Sequence, residues 1–163
     1  MQGGFVYTLR ARALRALNRR EHSRAELEQK LAPHGTTAEI AELLDELVTT
    51  DVLSETRFVE IYISSRAARF GAAKLRHGLR NKGIAEALIE MALVAYQESG
   101  SAEDTSMGSE AARARAIWQR KFAALPQDRN EYARQGRFLQ GRGFSGDVIR
   151  RVLKSEDSSD QEN

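Results

Sequence analysis

Lysine and arginine are the residues whose placement points to chemistry in this chain. Its 163 residues carry 25 Lys and Arg against 23 Asp and Glu, but the two signs are separated along the sequence. Residues 1–53 hold seven basic and eight acidic side chains, and residues 54–96 hold seven and four. Residues 111–154 hold eleven and three, whereas residues 97–110 and 155–163 each hold four acids and no base. A cationic stretch of this kind suits an anionic partner, either nucleic acid or an acidic protein surface. The candidate partner- and DNA-binding residues are Arg66, Arg69, Lys74, Arg76, Arg80 and Lys82 in the middle of the chain. Arg120, Lys121, Arg134, Arg137, Arg142, Arg150 and Arg151 join them near its end. Spacings such as Arg134 to Arg137 put cations on one side of a helix. Some of these stems are expected to lie over apolar surface with only their heads in water. About half are assigned to a binding face.

Other chemistry lacks its parts. There is no cysteine, hence no disulfide and no thiolate ligand or nucleophile. His22, His34 and His77 have no metal-ligand spacing among themselves. No glycine-rich phosphate loop is present, Ser64-Ser65 lacks a nucleophile elbow, and Glu42 with Glu46 sits at ordinary helix-surface spacing. The expectation is a non-enzymatic protein with no catalytic residues, no metal and no cofactor. The start of the chain does not resemble a secretory signal, and no apolar run approaches the roughly 20 residues of a membrane helix. A cytoplasmic monomer without membrane contact is expected.

The elements that would position these cations are helices. Leu9, Ala13, Ala16 and Leu17 mark one face over Thr8–Arg20. Ser23 and Glu26 form a capping pair before a second helix with Leu27 and Leu31, and Thr36 and Glu39 repeat it before Ile40, Leu43, Leu44 and Leu47. The unit then recurs. Phe58, Ile61, Tyr62 and Ser65 are assigned to the fourth helix face, Leu75 and Leu79 to the fifth, and Ala85, Leu88, Ala92 and Tyr96 to the sixth. In the third copy Ala114, Ile117, Trp118 and Phe122 come first, Asp128 and Glu131 cap the next helix, and Val148, Ile149, Val152 and Leu153 close it. Leu31, Leu79 and Leu139 each stand four residues before Gly35, Gly83 and Gly143, and Ile40, Leu88 and Val148 stand five after. Each glycine is expected to supply a left-handed turn. Gln135 stands where the earlier copies have Leu27 and Leu75.

The reading is all-α, with three tandem three-helix repeats at 8–53, 54–96 and 110–154. Residues 97–109 read as a flexible acidic loop and 155–163 as a disordered acidic tail. Short helix, tight turn and helix also outline a helix-turn-helix, so a DNA-binding transcriptional regulator is the alternative reading.

Three ordered blocks carry a resemblance. The first runs from Ala13-Leu14-Arg15-Ala16-Leu17 through Arg19-Arg20-Glu21-His22-Ser23-Arg24-Ala25-Glu26-Leu27 to Lys30-Leu31. The second holds Arg57-Phe58, Ser65-Arg66, Arg69-Phe70-Gly71, Leu75, Leu79-Arg80 and Lys82-Gly83-Ile84. The third holds Arg120-Lys121-Phe122, Arg137-Phe138-Leu139, Arg142-Gly143-Phe144-Ser145 and Asp147-Val148-Ile149-Arg150. Together they resemble the bacterial RecX family of regulatory proteins over nearly all of residues 9–154. Ala123 and Gly146 depart from the family's pattern, which commonly has Gly and a larger residue there. The resemblance implies an elongated, curved module of three repeats. It also implies binding to the RecA nucleoprotein filament and inhibition of its ATPase, recombinase and co-protease activities. Occupancy of the filament groove then predicts only weak, non-specific DNA binding, with single strands preferred.

Overall fold

The computed structural model describes residues 3–99, 110–122 and 124–154, with side chains from Thr8 onward. Among them the elements are α1 (Gly3–Leu17), α2 (Arg24–Leu31), α3 (Thr37–Thr49), α4 (Glu55–Arg66) and α5 (Ala72–Arg80). They continue with α6 (Glu86–Ser99), α7 (Glu110–Lys121), α8 (Arg129–Gly141) and α9 (Gly146–Leu153), and a single 3-10 turn at Ala32–His34 follows α2. The described chain is all-α. The acidic tail, Ala123 and most of the acidic loop lie outside the described residues, but Gln97, Glu98 and Ser99 belong to α6.

The helix starts follow from side-chain chemistry. Ser23 and Thr36 each accept a bond from the backbone N–H three residues on, while Glu26 and Glu39 reach back to the cap backbone. Four N–H groups at a helix start have no partner within the helix, so such boxes remove two deficits at once. Asp128 and Ser145 cap α8 and α9 in the same way, through Glu131 N–H and Val148 N–H.

Two compact units divide the chain. One comprises Met1–Tyr62 with Gly78–Ala92, the other Ile63–His77 with Leu93–Asn163. In the first, α1, α2 and α3 pack around Leu9, Leu27, Leu31, Ile40, Leu44 and Leu47. In the second, α7, α8 and α9 pack around Ala114, Trp118, Leu139, Phe144, Ile149 and Val152. Gln135 is buried there because Trp118 needs it: the indole Nε1–H donates to Gln135 Oε1 at 2.7 Å, and Gln135 Nε2 donates to the Ala124 carbonyl at 3.2 Å. A buried indole N–H without an acceptor would be costly. Beyond Gly146 a Cβ would meet nothing within 4 Å, so the missing side chain leaves Phe144 fully packed.

Two helix faces differ from the sequence expectation. In α4 the buried residues are Phe58, Val59 and Ile63, followed by Ala67, whereas Ile61 is 54% exposed and Ser65 faces solvent. Apolar residues at 58, 59, 61, 62 and 63 nearly encircle that helix, so periodicity could not choose a side. In α6 the buried pair is Ile89 and Leu93, with Ala85 exposed and Leu88, Ala92 and Tyr96 half-buried. The shift arises at the glycines. The first helical bond runs from Ile40 N–H to Thr36, from Ile89 N–H to Ala85, and from Ile149 N–H to Ser145. Thr36 follows Gly35 directly, but one residue intervenes after Gly83 and after Gly143. Counting from the glycines therefore placed the core one residue early in the second copy, at Leu88. In the third it took in half-buried Val148 beside Ile149.

The glycines are not equivalent either. Gly83 (φ 76°) and Gly143 (φ 87°) are left-handed, and each closes a Schellman turn. Ile84 N–H bonds Leu79 O and Gly83 N–H bonds Arg80 O, matched by Phe144 to Leu139 and Gly143 to Gln140. Gly35 is extended, at φ −164°, and serves space: a Cβ there would sit 2.6 Å from Leu9 Cδ1.

Candidate functional site

Each unit contains a joint in which the start of one short helix meets the Schellman turn of another, and several predicted cations sit in these joints. In the first unit the Ser23 hydroxyl donates to the Lys82 carbonyl at 2.7 Å, and Lys82 Nζ donates to Glu26 Oε1 at 2.6 Å. Glu26 also receives Arg20 at 2.9 Å. Burial, the largest single influence, pushes the Glu26 carboxyl upward, but hydrogen bonds and charge from Arg20 and Lys82 outweigh it and hold it at about 2.

In the second unit the contact is backbone on backbone. Gly71 N–H donates to Arg142 O at 2.8 Å and Ala73 N–H to Gly143 O at 3.2 Å. Lys74 Nζ donates to Gly141 O at 3.1 Å and lies 5.2 Å from the Phe70 ring centroid. The Arg142 guanidinium makes a long 3.5 Å bond to Arg69 O and stacks 4.9 Å over Phe138. Arg69, Lys74 and Arg142 are thereby brought together. Glu110 Oε1 accepts from Ala72 N–H at 2.8 Å, capping α5.

The predicted cations accordingly separate by what already holds them. Arg80 is bound to Glu86, at 2.6 Å through Nε, and Lys82 to Glu26. Arg134 pairs with Glu131 at 3.8 Å and lies 6.0 Å over Phe122, and Arg150 pairs with Asp147. Arg66 donates to Ser65 Oγ at 3.2 Å, and Arg76 is half-buried with interactions of its own. Arg120, Lys121, Arg137 and Arg151 are exposed and have no ionic or hydrogen-bond partner among the described residues. These four and Arg69, whose exposed guanidinium likewise has no partner among the described residues, are the predicted cations most available to an anionic partner, all in the second unit, because a charge already neutralised in place has less to offer.

Sequence reasoning passed over another concentration of charge. A cleft of about 460 Å³ in the first unit is lined by Arg12, Arg15, Arg19, Arg20 and Lys30, with His22 and His34. The net charge of residues 1–53 averaged it away; the i, i+3, i+7 spacing of Arg12, Arg15 and Arg19 was the available signal. His22 is buried, its Nδ1 2.9 Å from the Arg20 carbonyl, so Nδ1 carries the proton. Burial, above all, lowers its pKa from the ordinary value, leaving a neutral ring. Among the described residues no group of three or more His, Cys, Asp or Glu could hold a metal, and no helix is long and apolar enough to cross a membrane.

Three stretches match successive parts of one family: the first three-helix domain of RecX over residues 10–47, the second over 54–93 and the third over 109–153. A regulatory protein RecX from Leptothrix cholodnii is 45% identical over 151 residues, covering 92% of this chain and 90% of that protein. One from Ralstonia nicotianae is 41% identical, covering 93% and 89%. The crystal structure of RecX from Lactobacillus salivarius superposes with a TM-score of 0.76 at 20% identity, covering 92% of this chain and 95% of that one. Helical repeats, their order and the extent of identity agree, and the chain belongs to the RecX family of regulatory proteins.

Proposed function

We propose that the protein binds the RecA nucleoprotein filament and restrains its ATPase, recombinase and co-protease activities by occupying the filament groove. It acts as a monomer in the cytoplasm, on recombination and the DNA-damage response, and touches single-stranded DNA only weakly and without sequence preference. The observation that carries this reading is the full, ordered set of three RecX domains, in relatives named as regulatory proteins at 38–45% identity. The exposed cations of the second unit that no carboxylate holds, Arg120, Lys121, Arg137 and Arg151 among them, supply the contact chemistry, since a RecA filament on DNA is polyanionic. The remaining cations named above act as structural pairs or as weaker contributors to the same face.

The test is RecA-catalysed ATP hydrolysis on single-stranded DNA, with and without the protein. Inhibition that saturates with added protein is expected. The double variant Lys121→Glu, Arg137→Glu should keep its helicity and need several-fold more protein for the same inhibition. A hydrolysis rate indifferent to the protein would remove this reading, and undiminished inhibition by the double variant would move the contact elsewhere.

A further inference from the structure

The first unit holds ten Lys and Arg residues, and their pairing is uneven. Arg10 is bound to Glu46, Arg24 to Asp45, Arg57 to Glu21 and Asp51, and Arg80 to Glu86. Arg20 and Lys82 share Glu26. The four that remain are Arg12, Arg15, Arg19 and Lys30, which have no partner among the described residues. All four line the same cleft, together with half-exposed His34, and none of the residues lining it is acidic. Every cation of the unit that its own carboxylates leave uncompensated thus faces one concave space.

We propose that this cleft binds the phosphodiester backbone of a single nucleic-acid strand. Three features select that occupant. Arg12 and Arg15 lie along one side of α1 and Arg19 follows in the turn just after its end, a run of positive charge on the order of 10 Å long at about 1.5 Å rise per residue. That is too long for one small anion and suits a ligand with a regular row of full negative charges, as the phosphates of a strand provide. Lining guanidiniums also present planar forks suited to paired phosphate oxygens. Concavity adds to this, because a charged recess focuses potential more than a flat surface does. Lys30 and His34 approach from the end of α2 and the turn after it, giving the strand a second wall.

The inference deepens the proposed function, resting on it only for a setting in which single-stranded DNA is at hand. Its test therefore contains no recombinase: fluorescence anisotropy of a labelled 20-nucleotide oligothymidine with the full chain, titrated across salt. Arg15→Gln with Arg19→Gln should weaken binding about tenfold at low salt. It should also reduce the salt slope by about 1.4, at roughly 0.7 per phosphate contact on a single strand. Lys30→Gln, on a different element, should weaken binding in the same direction, while Arg24→Gln, whose guanidinium is held by Asp45 outside the cleft, should not. Unchanged affinity and slope in both cleft variants would overturn the proposal. Displacement of the oligonucleotide by an equal charge concentration of polyglutamate would overturn the nucleic-acid assignment in favour of an acidic peptide. Neither result touches RecA hydrolysis, so failure here and failure of the proposed function are separately visible.

Discussion

The two joints solve one packing problem with different atoms. In both, the start of a short helix lies against a left-handed glycine that ends another, and in both the carbonyl just before that glycine accepts a bond. At the first joint the donor is a side chain, Ser23 Oγ to Lys82 O, and a partly exposed ion pair between Lys82 and Glu26 reinforces it. At the second the donor is the backbone itself, Gly71 N–H to Arg142 O, and Gly71 stands where the repeat has Ser23. A Cβ on Gly71 would fall 2.4 Å from the Gly143 carbonyl oxygen, so the approach excludes any side chain. Lys74, where the repeat has Glu26, meets a second cation rather than a partner, and it bonds a carbonyl instead. A side-chain joint can be tuned by charge and pH; a backbone joint tolerates little and titrates not at all.

The largest expected effect tests that contrast through its two glycines. At Gly143 an added Cβ would lie 2.5 Å from both the N and the Cβ of Lys74, so backbone must move. Gly143→Ala should cost more than about 3 kcal/mol, combining left-handed strain with loss of the joint. At Gly83 the Cβ meets only the Ala25 methyl, at 2.7 Å, and Asp51 shows that a left-handed non-glycine is tolerated where space allows. Gly83→Ala should cost about 2 kcal/mol, the strain plus a small displacement of the Ala25 methyl, and less than Gly143→Ala, where backbone atoms must move. Denaturant unfolding of both variants decides it, and equal losses would mean that the two joints are not distinguished by backbone contact.

The comparison also separates what was legible in the residues from what was not. Local chemistry could be read directly: the capping boxes at Ser23 and Thr36, the caps at Asp128 and Ser145, and the left-handed turns at Gly83 and Gly143 all involve residues within five positions of one another. Registers were harder. In α6, apolar residues at almost every position leave the buried side to be chosen by neighbours, and one extra residue after Gly83 moved the core from Leu88 to Ile89. The state of each cation was least legible, because partners lie far apart in sequence. Arg10 and Glu46 are 36 residues apart and Lys82 and Glu26 are 56 apart, so counting charges could not show that Lys82 is spoken for while Arg12 is not.

A smaller effect should appear on acidification. Glu26 titrates at about 2 in the folded protein against an ordinary 4.5, despite the upward push of burial. A carboxylate with a depressed folded pKa stabilises the fold above its unfolded value, and that contribution disappears as pH falls through the folded value. The first joint should therefore weaken between about pH 4.5 and 2, while the second, lacking an ionic pair, holds. Hydrogen exchange at Leu27 N–H, which bonds Ser23 O, should accelerate across that window relative to Gly71 N–H. Glu26→Gln should abolish the difference. Parallel acceleration of the two amides would show that acid acts on the whole fold rather than on this pair.

The smallest effect sharpens what holds the second joint. Lys74 lies at its centre, yet its side chain is exposed, donating to Gly141 O and lying over Phe70. An exposed bond of this kind and a surface cation–π contact each contribute about 1 kcal/mol or less. Lys74→Ala keeps the N, Cα and Cβ atoms that press on Gly143, and it leaves both backbone bonds from Gly71 and Ala73 in place. It should therefore cost no more than about 1 kcal/mol, well below Gly143→Ala, with Gly71 N–H still protected from exchange. A loss as large as that of the glycine variant would transfer the joint from the backbone to the lysine side chain, and the two joints would then differ only in which charged group each employs.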